Sequence, residues 1–120
     1  VSDKIFTMEF RKIYDLLVKK AVRKMRTPEE VNELICWITG YLPSDLNKLA
    51  EEPITYADFI LNAPHWNDGS KNIKGKICGV RIETIEDPTM WKIRCLDKII
   101  DELAKGKRVD QIIGKYEKDE

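Results

Sequence analysis

One histidine, His65, and three cysteines, Cys36, Cys78 and Cys95, are the whole supply of imidazole and thiol in 120 residues. The cysteines lie far apart with no CxxC pair, a spacing that fits neither a disulfide framework nor chelation. A single imidazole leaves multi-histidine and His/Cys zinc sites short of ligands. A Ser-His-Asp relay would have to use His65, which sits in a loop rich in Pro, Asn, Asp and Gly. Long apolar runs are missing too. The longest, Leu34 to Ile38, falls far short of a bilayer span. The first four residues, Val1-Ser2-Asp3-Lys4, lack the apolar stretch of a secretory signal. A cytoplasmic protein with no membrane segment is expected. No segment repeats, and none is of low complexity.

Net charge is absent as well, with 21 Lys and Arg against 21 Asp and Glu, but the charges come in blocks. Residues 1–26 carry 8 cations and 3 anions, and residues 27–68 carry 1 and 8. Residues 69–81 carry 4 cations and no anion, and residues 82–106 carry 4 and 6. Segments of opposite sign favour docking on each other or on a partner; the ordinary reading is a solvated surface.

What is present suffices for a core. Hydrophobic residues make up 42% and charged residues 35%, and a single domain of this length buries about two-thirds of its unfolded surface. From Thr7 to Met25, the residues Phe10, Ile13, Tyr14, Leu17, Val18, Ala21, Val22 and Met25 recur at helical spacing, which predicts one helix with that arc inward. Lys12, Lys19, Lys20, Arg23 and Arg26 fall on its other face, and Thr7 is the expected cap. Thr27-Pro28-Glu29-Glu30 is a capping box with proline at the first helical position, and Gly40 is a left-handed stop. Ser44 is expected to open a short helix that ends before Pro53, and Thr55 to cap another running to about Asn62.

Residues 64–76 form the one long loop, with an Asp68-Gly69 turn signal. Ile77 to Ile85 fits both a strand and a helix; a short helix is favoured because a lone strand would need a partner. Asp87-Pro88 starts a long helix with Met90, Ile93, Leu96, Ile99, Ile100 and Leu103 inward and Gly106 at its end. Val109, Ile112 and Ile113 suggest one last turn before a charged tail frayed from about residue 114. The expected fold is all-α: a single-domain orthogonal bundle of five to seven helices, with a possible short strand near 77–85.

The segments Phe6-Thr7-Met8-x-Phe10, Ile35-Cys36-Trp37-Ile38-Thr39-Gly40-Tyr41 and Cys78-Gly79-Val80-Arg81 through Leu96-Asp97-Lys98-Ile99-Ile100 resemble a family of small bacterial proteins, the domain-of-unknown-function 2200 family. The resemblance spans nearly the whole chain. It implies a fold and carries no activity, ligand or catalytic residue. Cys95 stands where similar sequences carry tyrosine, which marks it as packing material.

Four features compete for a functional role. Cys78 beside Arg81 could be a thiol of lowered pKa if exposed, but no histidine is near in sequence to act as base. Asp97 and Asp101 share a helix face and could hold a cation; interleaved Arg94, Lys98 and Lys105 make an ion-pair ladder the ordinary reading. Trp66, in the long loop, could stack on a ligand or partner, or plug the edge of the core. Leu34 to Leu49 has the spacing of a helix-turn-helix. Its second helix would bring Asp45, Glu51 and Glu52 against Lys48 alone, the wrong sign for phosphate.

The sequence therefore points to a non-enzymatic interaction module, with a protein partner or a second copy bound through Trp66, Lys19, Lys20 and Arg23. No cofactor, metal or catalytic residue is assigned, and specific nucleic-acid binding is disfavoured. A weak DNA binder and an enzyme using Cys78 are the alternatives.

Overall fold

The capping box at Thr27 forms in full in the computed structural model, which describes residues 4–117. Thr27 Oγ1 accepts from the Glu30 amide at 3.2 Å, and the Thr27 amide donates to Glu30 Oε1 at 2.9 Å. Among the described residues there are seven α-helices: α1 (Lys4–Thr7), α2 (Phe10–Val22), α3 (Pro28–Thr39), α4 (Pro43–Leu49), α5 (Tyr56–Leu61), α6 (Pro88–Ala104) and α7 (Val109–Glu117). The fold is an all-α bundle, as expected. A two-stranded hairpin, β1 (Lys76–Ile77) and β2 (Val80–Arg81), and two 3₁₀ turns, Asp68–Asn72 and Ile82–Thr84, complete it.

One apolar cluster joins the elements. Helix α6 is the central post, packed against α2, α3, α5 and α7. Phe10 and Phe59 stack with ring centroids 3.8 Å apart and planes 7° from parallel. Tyr41 seals their edge by donating its hydroxyl to Phe59 O at 2.7 Å. The caps at Thr55 and Asp87 also form, to the amides of Asp58 and Thr89.

Several local expectations are corrected. The first helix is broken before Phe10, and Thr7 is not its cap: Thr7 ends α1 and donates to Lys4 O. Met8 to Phe10 is drawn out because it pairs with the chain before α5, with the Tyr56 amide donating to Met8 O and the Phe10 amide to Ile54 O. Met25 does not face the core. It is 91% exposed, at φ +69°, as the left-handed residue that closes α2. The Arg26 amide reaches back to Ala21 O and the Met25 amide to Val22 O, the paired bonds of a Schellman turn.

Helix α4 begins one residue earlier than expected, at Pro43. The cap is the Leu42 amide held by Asp45 Oδ2, so Ser44 plays no capping part. Ile77 to Ile85 is not the one short helix favoured: the possible strand there forms as a hairpin, and only Ile82–Thr84 winds into a 3₁₀ turn. Cys78 and Gly79 both have positive φ, +53° and +79°, which makes a two-residue turn of the type that suits a tight hairpin. The strand partner is the chain just before the turn: Lys76 pairs with Arg81 and Ile77 with Val80. Helix α7 runs to Glu117, beyond the single turn and the frayed tail expected from 114. Tyr116 is buried and donates to Glu102 Oε2 at 2.6 Å, and Trp37 Nε1 donates to Glu117 Oε2 at 2.8 Å.

Candidate functional site

The residues singled out from sequence fall on three separate parts of the surface. Cys78 is exposed at the tip of the hairpin, and Arg81 is 3.6 Å from Glu83. Glu83 in turn accepts from the Gly75 amide, which with Arg81 holds its carboxyl below the usual range. Trp66 is half-buried against the core. Its Nε1 donates to Ser70 Oγ at 2.8 Å, and the Lys92 ammonium lies 5.3 Å from the ring centroid. Its loop is fixed from below by α3: the His65 amide donates to Thr39 O, the Asn67 amide to Ile38 O, and Asn67 Nδ2 to Trp37 O. The loop therefore serves as the C-terminal cap of α3.

Gly40 makes that docking possible. At φ +83° it is left-handed, and a Cβ there would stand 2.8 Å from both the amide nitrogen and Cβ of His65.

On α2 and in the turn that follows it, the cations divide. Lys20 leaves the basic face for Asp101 at 3.2 Å, and Arg26 turns to the C-terminus of α6. Lys19 pairs with Asp15 at 2.9 Å, while Lys12 and Arg23 have no ion pair among the described residues. Beside them Leu16 and Val22 are 55% and 48% exposed. Asp97 and Asp101 are members of an ion-pair ladder. Asp97 is 3.1 Å from Arg94, and Asp101 is held by Lys20 and by Lys105 at 3.0 Å. Burial raises the Asp97 carboxyl, partly offset by Arg94. Burial also opposes ionisation of Asp101, but Lys105 and Lys20 outweigh it and hold that carboxyl low. Among the described residues no three His, Cys, Asp or Glu side chains gather as metal ligands.

Two interior polar groups stand out. Glu102 is buried beneath α7, with Oε1 unpartnered among the described residues and Lys115 3.9 Å from Oε2. The Tyr56 hydroxyl is likewise buried and unpartnered, and its burial keeps the phenol protonated. Cys95 is fully buried with its thiol pushed up to about 12 by desolvation, consistent with a packing role.

The site that the sequence reading missed lies along the outer face of α3. Glu29, Asn32, Glu33 and Cys36 are spaced i, i+3, i+4, i+7, the face opposite the buried Val31, Leu34, Ile35 and Ile38. With Pro43 across the Gly40 corner they line a groove of about 300 Å³, mostly apolar. The Tyr14 hydroxyl donates to Asn32 Oδ1 at 2.6 Å and braces the groove against α2. Burial, with Asp45 adding, raises the Cys36 thiol, so the floor is an uncharged SH. Leu42, 63% exposed, stands at the Pro43 end. Glu29 and Glu33 carry no ion pair among the described residues. The helical period of these four residues was a readable signal, but Pro43 joins them only across the turn.

Two other depressions are less suited to a partner. One of 330 Å³ is lined by Tyr41, Asp45, Lys48, Leu49, Glu52 and Pro64, a mixture of both signs. Another of 210 Å³ lies beside Leu61 and Asp87, the carboxylate that caps α6.

No helix of the described residues is long and apolar enough to cross a membrane. No curated protein matches this chain. A solved structure, "Crystal structure of uncharacterized protein SP1917", is 44% identical over 100% of this chain and 98% of that one, with a TM-score of 0.96. The family described as "Uncharacterized protein conserved in bacteria (DUF2200)" matches residues 4–114. The chain therefore belongs to this family of uncharacterised bacterial proteins, as its motifs suggested.

Proposed function

We propose that this chain is a binding module with no chemistry of its own, and that it docks a basic, amphipathic segment of a protein in the groove of α3. The carrying observation is the groove itself: a mostly apolar depression lined by Cys36 and Pro43 together with two carboxylates, Glu29 and Glu33, that have no ion pair among the described residues. A helix laid there would bury its apolar side chains on the floor and set its cations on the rim. Lys19 and Arg23 belong to a second surface that can dock a partner of the opposite sign. Trp66 we assign to the frame that closes the core. The DNA-binding alternative is weaker, because Lys20 and Arg26 of the basic face are spent on α6. The thiol alternative is weaker because Arg81 is drawn to Glu83.

The test is a fluorescence-anisotropy titration with a labelled peptide built from leucine and lysine at helical spacing. Saturable, salt-sensitive binding is expected, lost in Glu29→Lys/Glu33→Lys. A peptide of the same pattern with glutamate in place of lysine should not bind. Equal binding of both peptides, or none of the basic one, would contradict the reading.

A further inference from the structure

The occupant of this groove, we infer, is the exposed face of α2 from a second copy of the chain, exchanged reciprocally in a two-fold dimer. The inference rests on the groove reading above and names its partner. Helix α2 presents what the groove lacks. Leu16 and Val22 flank Lys12, Lys19 and the C-capping Arg23 on its outer face, and Met25 projects just beyond its end. These are three of the large apolar side chains that the described fold leaves exposed, and cations flank them. The groove offers the complement: an apolar floor, the exposed Leu42 at one end, and Glu29 and Glu33 along the rim. Lys12 and Arg23 on one surface, and Glu29 and Glu33 on the other, have no ion pair among the described residues. Lys12, Lys19 and Arg23 of the basic block 1–26, and Glu29 and Glu33 of the acidic block 27–68, are thus exposed on these two faces.

The two surfaces also share an edge. Arg23 to Thr27 is the whole connection from α2 to α3, so Val22 and Met25 lie next to the turn where Glu29 begins the groove. Adjacent complementary surfaces can meet about a two-fold axis, each copy placing its α2 in the other's groove. Such an interface closes on itself, whereas a head-to-tail contact would propagate into chains. Shielding Leu16, Val22, Met25 and Leu42 together would remove the main apolar exposure of the monomer.

Sedimentation velocity on the full chain, over a concentration series at low and high salt, tests this. The wild type should show a monomer–dimer equilibrium that weakens as salt rises from about 0.05 M to about 0.5 M. Lys19→Glu/Arg23→Glu and Glu29→Lys/Glu33→Lys should each weaken the dimer about tenfold or more. An equimolar mixture of the two variants should recover it, because every contact in the mixed dimer again joins opposite charges. Should a double variant lose helical content, Arg23→Glu and Glu33→Lys alone serve, since they keep the Lys19–Asp15 pair and the Glu29 carboxylate in the first turn of α3. A wild type that stays monomeric at all concentrations would overturn the inference, and so would variants that still dimerise. Assemblies larger than dimers in the mixture would overturn the two-fold arrangement. A monomeric wild type that still binds the basic peptide would sink self-association alone and leave the groove reading standing.

Discussion

The guanidinium of Arg26 closes the C-terminus of α6: its Nε donates to Leu103 O at 3.1 Å and its Nη2 to Lys107 O at 3.3 Å. The Schellman turn at Met25 delivers this side chain, and the matching turn at Gly106 presents the carbonyls it meets. A cation at a helix C-terminus is favoured by the helix dipole, and the two bonds fix the α2–α3 corner to the central post. Glu30, at 3.7 Å from Nη1, steadies the same group.

Arg26→Ala should therefore destabilise the fold by about 1–3 kcal/mol, the range for hydrogen bonds from a charged donor. Arg26→Lys should recover only part of this, because an ammonium cannot fork to two carbonyls in the guanidinium geometry. Urea unfolding monitored by circular dichroism gives both values. An alanine variant as stable as the wild type would show that the corner holds without the tether.

Met25→Gly should stabilise the chain by roughly 0.5–1 kcal/mol. The side chain occupies a left-handed position that glycine adopts without steric cost, and its exposure means that little packing is lost. A lower urea midpoint for the variant would contradict the assignment of Met25 as a strained helix stop. If the dimer forms, the comparison belongs at concentrations where both proteins are monomeric.

Gly40→Ala should be among the most damaging single changes, costing about 3 kcal/mol or more, because a left-handed strain adds to backbone overlap with His65. The loop from Pro64 to Asn67 should then lift from α3, and amide exchange at His65 and Asn67 reports it. Unchanged exchange at both amides would refute the account of the loop as a helix cap.

The parts of the fold that were legible in the sequence are those written locally. Thr27-Pro28-Glu29-Glu30, Thr55 and Asp87-Pro88 each carry their own cap, and each forms as read. Where tertiary contacts decide, the period misled. Met25 fits the apolar stripe of α2, but the chain turns so that Arg26 can reach α6. Cys78 to Thr84 fits a helix, but two successive positive φ angles make a hairpin, and cysteine at the first of them gives no turn signal. Tyr116 looked like part of a tail because its partner, Glu102, is a charged residue that the apolar pattern does not count as core. The groove shows the same limit: the α3 face was visible, while its wall at Pro43 exists only once the corner folds.

Stability should fall at alkaline pH through groups that the fold keeps protonated. Burial, with Asp45 adding, pushes Tyr41 up to about 12, and burial alone pushes Cys95 to about 12. Burial, helped by Glu102, also raises Tyr116. Since the folded chain holds protons that the unfolded chain releases, their contribution is intact below the ordinary thiol value of 9.0. It is then lost as pH rises towards 12. Urea midpoints measured from pH 8 upward should decline above about pH 9–10, and Tyr41→Phe should flatten that decline. A midpoint that holds constant into that range would contradict the burial of these groups.

The claim on which the functional account turns is that the α3 groove is a docking site for a basic, apolar surface. Backbone chemical-shift mapping tests it most directly, using the Lys19→Glu/Arg23→Glu variant, in which the groove is intact and self-association is weakened. On titration with the leucine–lysine peptide, saturable shifts should centre on Asn32, Glu33, Cys36 and Leu42, with Cys78 and Arg81 silent. Shifts absent from α3, or centred on the hairpin, would contradict the account.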